Sequence, residues 1–129
     1  MIMVDSSVWI HYFTGVESKQ TDTLDKILGR EPVAVGDLIL TEVLQGFRRD
    51  HDYETAKALF NELTVLEILG KNLAIKSAEN FRTLRKRGIT IRKIADVIIA
   101  SFCIEKKFSL LFSDKDFTPF VKYLGLTEV

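Results

Sequence analysis

Four carboxylates stand where their chemistry stands out from the surrounding sequence. Asp5 directly follows the apolar run Met1 to Val4, and Asp114 follows Leu110 to Ser113. Glu42 lies between Leu38-Ile39-Leu40 and Val43-Leu44, and Asp96 is the only charge between Ile94 and Ile104. A buried carboxylate must be paired, hydrogen-bonded or metal-bound, because otherwise it takes up a proton or destabilises the fold. Four acids in one pocket repel one another unless cations neutralise them, and an all-oxygen set without His or Cys suits Mg²⁺ or Mn²⁺. Such a site is suited to phosphodiester hydrolysis. One or two ions, about 3.5 to 4 Å apart if paired, acidify a water, align it with phosphorus and neutralise the leaving oxygen without a protein nucleophile. Each acid also has a plainer role open to it: turn former or cap for Asp5 and Asp114, N-cap for Asp96, an exposed helical position for Glu42.

A polyanionic substrate has a matching basic stretch. Between Asn80 and Ala95 lie Arg82, Arg85, Lys86, Arg87, Arg92 and Lys93 with no acid among them, and this stretch runs straight into Asp96. These side chains are suited to holding phosphates beside an acidic pocket. The plainer reading is a solvated helix end, with Glu79 pairing Arg82 at i, i+3. Arg48 and Arg49 form a weaker second patch. His11 and His51 have no metal-ligand spacing, and Cys103 reads as a small core residue. Trp9, Tyr12 and Phe13 read as core or dimer surface.

The elements that must position these groups alternate between strand and helix. Ile2 to Val4 reads as a strand, followed by a helix capped by Ser6 or Ser7 that carries Val8, Trp9, Tyr12 and Phe13 and ends at Gly15. Leu24, Ile27 and Leu28 share a helical face that stops at Gly29, and Val33 to Val35 is extended. Asp37 is placed to cap a helix running to about Arg49, and Asp52 to cap another with Ala56, Leu59, Phe60 and Leu63 on its buried stripe. Thr64 to Leu69 reads as a strand. Asn72 to Arg87 reads as a helix with Ala74, Ala78 and Phe81 on one face and a left-handed cap at Gly88. Ile94 to Lys106 is a buried helix, Leu110 to Phe112 a strand, and Leu124 to Val129 a weak edge strand or tail. Short apolar strands separated by helices predict an α/β fold with a mostly parallel sheet covered on both faces.

Composition narrows the classes further. The chain has 129 residues, 47% hydrophobic and 28% charged, which is the size and profile of a single folded domain spanning 1–129. Eighteen Lys and Arg balance eighteen Asp and Glu, which excludes a uniformly basic surface but not separated patches of opposite sign. One cysteine excludes a disulfide framework and a Cys/His zinc cluster, and fits a reducing cytoplasm. The most apolar run is too short to span a bilayer, and the N-terminus lacks a signal peptide's basic region and long apolar core.

Four segments together carry a family resemblance: Val4-Asp5-Ser6-Ser7-Val8-Trp9-Ile10, Leu40-Thr41-Glu42-Val43, Ile94-Ala95-Asp96-Val97-Ile98-Ile99-Ala100 and Phe112-Ser113-Asp114-Lys115-Asp116-Phe117. In order and spacing the chain resembles the PIN-domain ribonucleases of the VapC toxin family, across nearly its whole length. The resemblance implies a three-layer α/β/α sandwich around a four- or five-stranded, mostly parallel sheet. It implies a catalytic set of Asp5, Glu42, Asp96 and Asp114, with Asp5, Asp96 and Asp114 binding metal, Asp116 as an auxiliary acid and Ser6 assisting the site. Asp114 is favoured over Asp116 because it is nearer the strand. The implied activity is Mg²⁺-dependent RNA cleavage, with Mn²⁺ as a substitute, leaving a 5′-phosphate and a 3′-hydroxyl. The implied partners are an RNA substrate, a VapB-type antitoxin and a second copy of the chain. Two other readings stand beside it: a non-catalytic receiver-like or RNA-binding α/β module, and a PIN nuclease acting on other nucleic acid or small phosphoesters.

Overall fold

Short strands that are apolar on both faces can be buried only beneath two layers of helix. The computed structural model, which describes residues 1–129, has that arrangement. Its elements run β1 (Ile2–Val4), α1 (Ser6–Thr14), α2 (Lys19–Ile27), β2 (Val33–Gly36), α3 (Asp37–Gly46), α4 (Asp50–Asn61), β3 (Thr64–Leu66), α5 (Lys71–Lys86), α6 (Ile94–Lys106), β4 (Ser109–Leu111), α7 (Thr118–Leu124) and β5 (Thr127–Glu128). A 3₁₀ turn, Lys115–Phe117, precedes α7. The five strands lie in the order β3-β2-β1-β4-β5, and every pairing is parallel.

The direction of travel across the sheet decides which face each helix covers. From β1 the chain steps outward to β2 and then β3, so right-handed crossovers place α1 to α4 on one face. It then returns across the sheet to β4 and β5 in the opposite direction, which places α5 to α7 on the other. The contacts follow this division: α1 packs on α2, α3 and α4, while α5 packs on α6 and α7.

Aromatic packing fixes α1, whose start supplies part of the site. Trp9 is fully buried, edge-on to Phe60 of α4 at 4.9 Å and stacked on Phe13 at 5.9 Å. Such pairs contribute about 0.5–1.5 kcal/mol each beyond the area they bury. Gly36 closes the β2–α3 corner, since an added Cβ would meet the Ile68 side chain at 3.1 Å. Cys103 is buried with its Sγ 3.8 Å from Met3 Sδ, in the core as expected.

Several boundaries differ from the sequence reading. Asp37 and Asp52 are not N-caps: α3 begins at Asp37 after Gly36, and α4 begins at Asp50 after Arg49. Asp37 Oδ1 accepts from the Leu38 and Ile68 amides at 2.8 and 3.3 Å, so it bridges to the segment after β3. Helix α3 stops at Gly46 rather than near Arg49, β3 stops at Leu66, and β4 begins one residue earlier than expected. Helix α7 had no counterpart in the sequence reading.

The face of α5 differs for a physical reason. Its buried residues are Ser77, Asn80 and Leu84, and Asn80 Nδ2 donates to Ser101 Oγ of α6 at 2.9 Å. Ala74, Ala78 and Phe81 instead line an open groove with Leu69, Ile91, Ile94, Val97 and Ile98. A hydrogen bond between helices admits polar groups to the core that hydrophobic periodicity would assign to solvent.

Candidate active site

The site forms where neighbouring crossovers diverge. Strand β1 lies between β2 and β4, so the chain leaves it toward one side while β4 is reached from the other. At such a switch point the loops beyond the two carboxyl ends separate and leave a crevice. Val4 pairs with Leu111, and the Asp5 amide donates to the Leu111 carbonyl at 2.9 Å. Asp5 therefore opens into the same crevice as the segment after β4.

Asp5 combines the two roles the sequence left open. It is the N-cap of α1, accepting from the Ser7 amide at 3.4 Å, and its Oδ2 also accepts from Ser7 Oγ at 2.8 Å. Ser7 Oγ lies 3.2 Å from Ser113 Oγ. With the Ser7 proton directed at Asp5, Ser113 is the donor in that contact, so the two serines link the ends of β1 and β4. Neither Ser7 nor Ser113 was singled out as a site residue from sequence. Their signal was position alone: each lies next to, or one residue from, a strand-end acid.

Glu42 is half-buried in α3, and its Oε1 accepts from Ser6 Oγ at 2.8 Å. Asp96 occupies the third position of α6, whose N-cap is Lys93, so it does not cap that helix. Its Oδ2 is buried without a hydrogen-bond partner. Asp114 caps the 3₁₀ turn by accepting the Asp116 amide at Oδ1, at 2.9 Å. That turn brings Asp116 back beside Asp114. Carboxylate oxygens of Asp96, Asp114 and Asp116 all lie within 4.8 Å of one another. The tightest group thus includes Asp116, expected only as an auxiliary acid, where the sequence reading had Asp5.

Electrostatics show how closely the acids are coupled. Burial, foremost, and then the charges of Asp5 and Asp114 push the Asp96 carboxyl up to about 7, with Lys93 opposing the rise and Glu42 adding to it. Burial also raises Asp5, against its hydrogen bonds from Ser7 and Ser6 and with the Glu42 charge reinforcing it. Asp96 therefore senses Asp5, Glu42 and Asp114 at once. A buried oxygen without a donor, surrounded by carboxylates, fits a divalent cation: hard oxygen ligands and surplus negative charge are what Mg²⁺ and Mn²⁺ select.

The basic stretch divides into two groups. Arg92 Nε donates to Asp116 Oδ2 at 3.3 Å, and Lys93 Nζ lies 3.9 Å from Asp114 Oδ2. Arg82 and Arg85 edge the α5–α6 groove, Arg85 over Phe81 at 5.5 Å. Arg87 stacks on Tyr123 of α7 at 4.4 Å, and Lys86 is exposed. Only Arg92 and Lys93 of the six contact the acids. His51 is exposed, and Trp9 and Phe13 pack in the core.

The sheet order separates this chain from receiver-like modules, whose parallel strands run 2-1-3-4-5. A PIN domain model matches residues 2–121. The chain is 28% identical over 128 residues to a VapC ribonuclease of Mycobacterium bovis, covering 98% of this chain and 96% of that protein. It is 29% identical over 125 residues to ribonuclease VapC1 of Methanocaldococcus jannaschii, covering 97% and 84%. Among solved structures it is similar to a chain of VapBC2 from Rickettsia felis bound to a promoter DNA fragment, with a TM-score of 0.76, 18% identity and coverage of 100% and 98%. It is also similar to VapC20 of Mycobacterium tuberculosis, a toxin that cleaves the sarcin-ricin loop, with a TM-score of 0.72, 18% identity and the same coverage.

Proposed function

Because the chain belongs to the PIN-domain family, we propose that it is a VapC-type endoribonuclease, the toxin of a toxin–antitoxin pair restrained by a VapB-type antitoxin. The observation that carries the reading is Asp96, whose Oδ2 is buried and unpartnered and whose carboxylate is grouped with those of Asp114 and Asp116. Asp96, Asp114 and Asp116 would hold Mg²⁺, or Mn²⁺ in its place, with Asp5 and Glu42 completing the negative pocket. The ion would supply an acidified water and neutralise charge on the leaving oxygen.

The chain's own residues prepare that pocket. Ser7 holds Asp5 from within α1, and Ser6 holds Glu42 across the gap between α1 and α3. Neither acid is then free to swing away when the other charges are compensated. Arg92 and Lys93 are placed to receive RNA phosphates at the rim. We place the protein in the cytoplasm, in keeping with its single buried cysteine; no helix is long and apolar enough to cross a membrane. Homodimerisation belongs to the same reading, supported by exposed Leu69 and Ile94 lining the α5–α6 groove.

The test is cleavage of labelled RNA and sequence-matched single-stranded DNA by the purified chain, with Mg²⁺ and with EDTA. RNA cleavage that requires the metal, together with growth arrest on expression, is expected. Metal-independent cleavage would overturn the metal assignment, and exclusive cutting of DNA would overturn the substrate.

A further inference from the structure

The two cations at the pocket sit on its acids in an asymmetric way. Arg92 and Lys93 side chains are 74% and 61% exposed, whereas their partners Asp116 and Asp114 are 22% and 23% exposed. The acids belong to the wall. Asp114 Oδ1 is already committed to the backbone of the 3₁₀ turn, which leaves Oδ2, the oxygen facing Lys93, as the one available to another cation. The cations, by contrast, extend on long flexible stems from the segment joining α5 to α6. Ion pairs this exposed are weak and readily exchanged.

We propose that Arg92 and Lys93 are exchangeable counter-cations: they neutralise Asp116 and Asp114 until a divalent ion takes those carboxylates, and the freed side chains then hold the RNA phosphate. This rests on the reading of the pocket as a metal-dependent RNA site. It deepens that reading by making one pair of side chains the link between metal and substrate. Because linkage is reciprocal, metal tightens RNA and RNA tightens metal. The exchange also separates the six basic residues, since only these two have a resting position on the acids.

The size of the effect follows from the strength of the pairs. An exposed ion pair shifts an equilibrium by up to about five-fold, so each cation should weaken metal binding by about two- to five-fold in the absence of RNA. A fixed bystander charge acts differently, because it repels the metal without binding the phosphate.

The experiment measures Mn²⁺ binding calorimetrically on the full chain, stripped of metal and without RNA, for wild type, Arg92→Gln, Lys93→Gln and the control Lys106→Gln. Lys106 is at the far end of α6, about 15 Å from Asp96 by helical rise. Arg92→Gln and Lys93→Gln should each tighten Mn²⁺ by about two- to five-fold, and Lys106→Gln should leave it unchanged. With RNA as substrate, the same two substitutions should raise KM while kcat stays close to wild type. Mg²⁺ alone should also shift the Arg92 Nε–H resonance in the wild-type protein. Unchanged Mn²⁺ affinity in both variants, equal tightening by Lys106→Gln, or tighter metal with unaltered KM would each overturn the exchange while leaving metal-dependent RNA cleavage intact. A wild-type chain that binds no Mn²⁺ and cuts no RNA would remove the parent reading and this inference with it.

Discussion

Ser6 Oγ donates to Glu42 Oε1 across 2.8 Å, tying the first residue of α1 to the middle of α3 over 36 positions of sequence. The bond joins two crossovers on the same face of the sheet at the point where both border the crevice. Glu42 is thereby aimed at the site rather than at solvent, where a helical glutamate would otherwise extend.

Ser6→Ala should free Glu42 and lower kcat by about ten-fold, in line with a hydrogen bond to a charged group worth about 1.5–3 kcal/mol. Ser6→Thr keeps the hydroxyl and should restore most of the rate. Steady-state cleavage of a fluorogenic RNA measures both. A rate unchanged in Ser6→Ala would mean that Glu42 is held by other means or is not needed.

Asp96→Asn should cut cleavage by about a hundred-fold or more while preserving the circular dichroism spectrum, because it removes charge from the centre of the acid group. Mg²⁺ should raise the Tm of the wild-type protein through preferential binding to the folded state, and should raise that of Asp96→Asn far less. A variant that cleaves normally with Mg²⁺ present would exclude Asp96 from the site.

Metal-free protein should lose stability as pH rises from about 5 to 8. The Asp96 carboxyl is raised from 3.8 to about 7, and Asp5 is raised as well, so the folded chain holds more protons than the unfolded one within this window. With more protons on the native state, the slope of unfolding free energy against pH is negative there. The stabilising proton is fully bound below the unfolded value and is lost as pH passes about 7. Thermal melts in EDTA should therefore show a higher Tm at pH 5.5 than at pH 8. Asp96→Asn should flatten the profile and raise Tm at pH 8, by about 4 °C for each kcal/mol relieved. Parallel profiles for the two proteins would show that Asp96 does not titrate in this range.

Ile94, at 79% exposure, should tolerate a charge without loss of stability but not without loss of self-association. Ile94→Asp should leave Tm within about 2 °C of wild type, as for a surface change of at most about 0.5 kcal/mol. Sedimentation should show the wild type as a dimer and the variant as a monomer. A variant that remains dimeric would place the contact on another face.

The acids were legible in the sequence because each interrupts an apolar context: Asp5 and Asp114 end strand-like runs, and Asp96 is the one charge between Ile94 and Ile104. The alternating elements and the parallel sheet were legible for the same reason, in the spacing of apolar residues. Asp116 was harder to place. Its proximity to Asp114 depends on a 3₁₀ turn, and a local change of backbone direction has no hydrophobic period to announce it. Helix α7 is only seven residues long with Pro119 in its first turn, too short for a repeating stripe. The buried face of α5 was hidden because Asn80 and Ser101 satisfy each other across two helices, a relationship no single segment contains.

The order β3-β2-β1-β4-β5 also bears on how the chain comes to be made. Strand β1 is central, yet its neighbour β4 follows it only after some hundred further residues. Contacts so distant in sequence are slow to form and leave hydrophobic edges waiting. The acid group itself spans Asp5 to Asp116, so no nascent fragment lacking the β4 end can assemble it. Any activity of such a pocket therefore waits on synthesis of the β4 end and the 3₁₀ turn behind it.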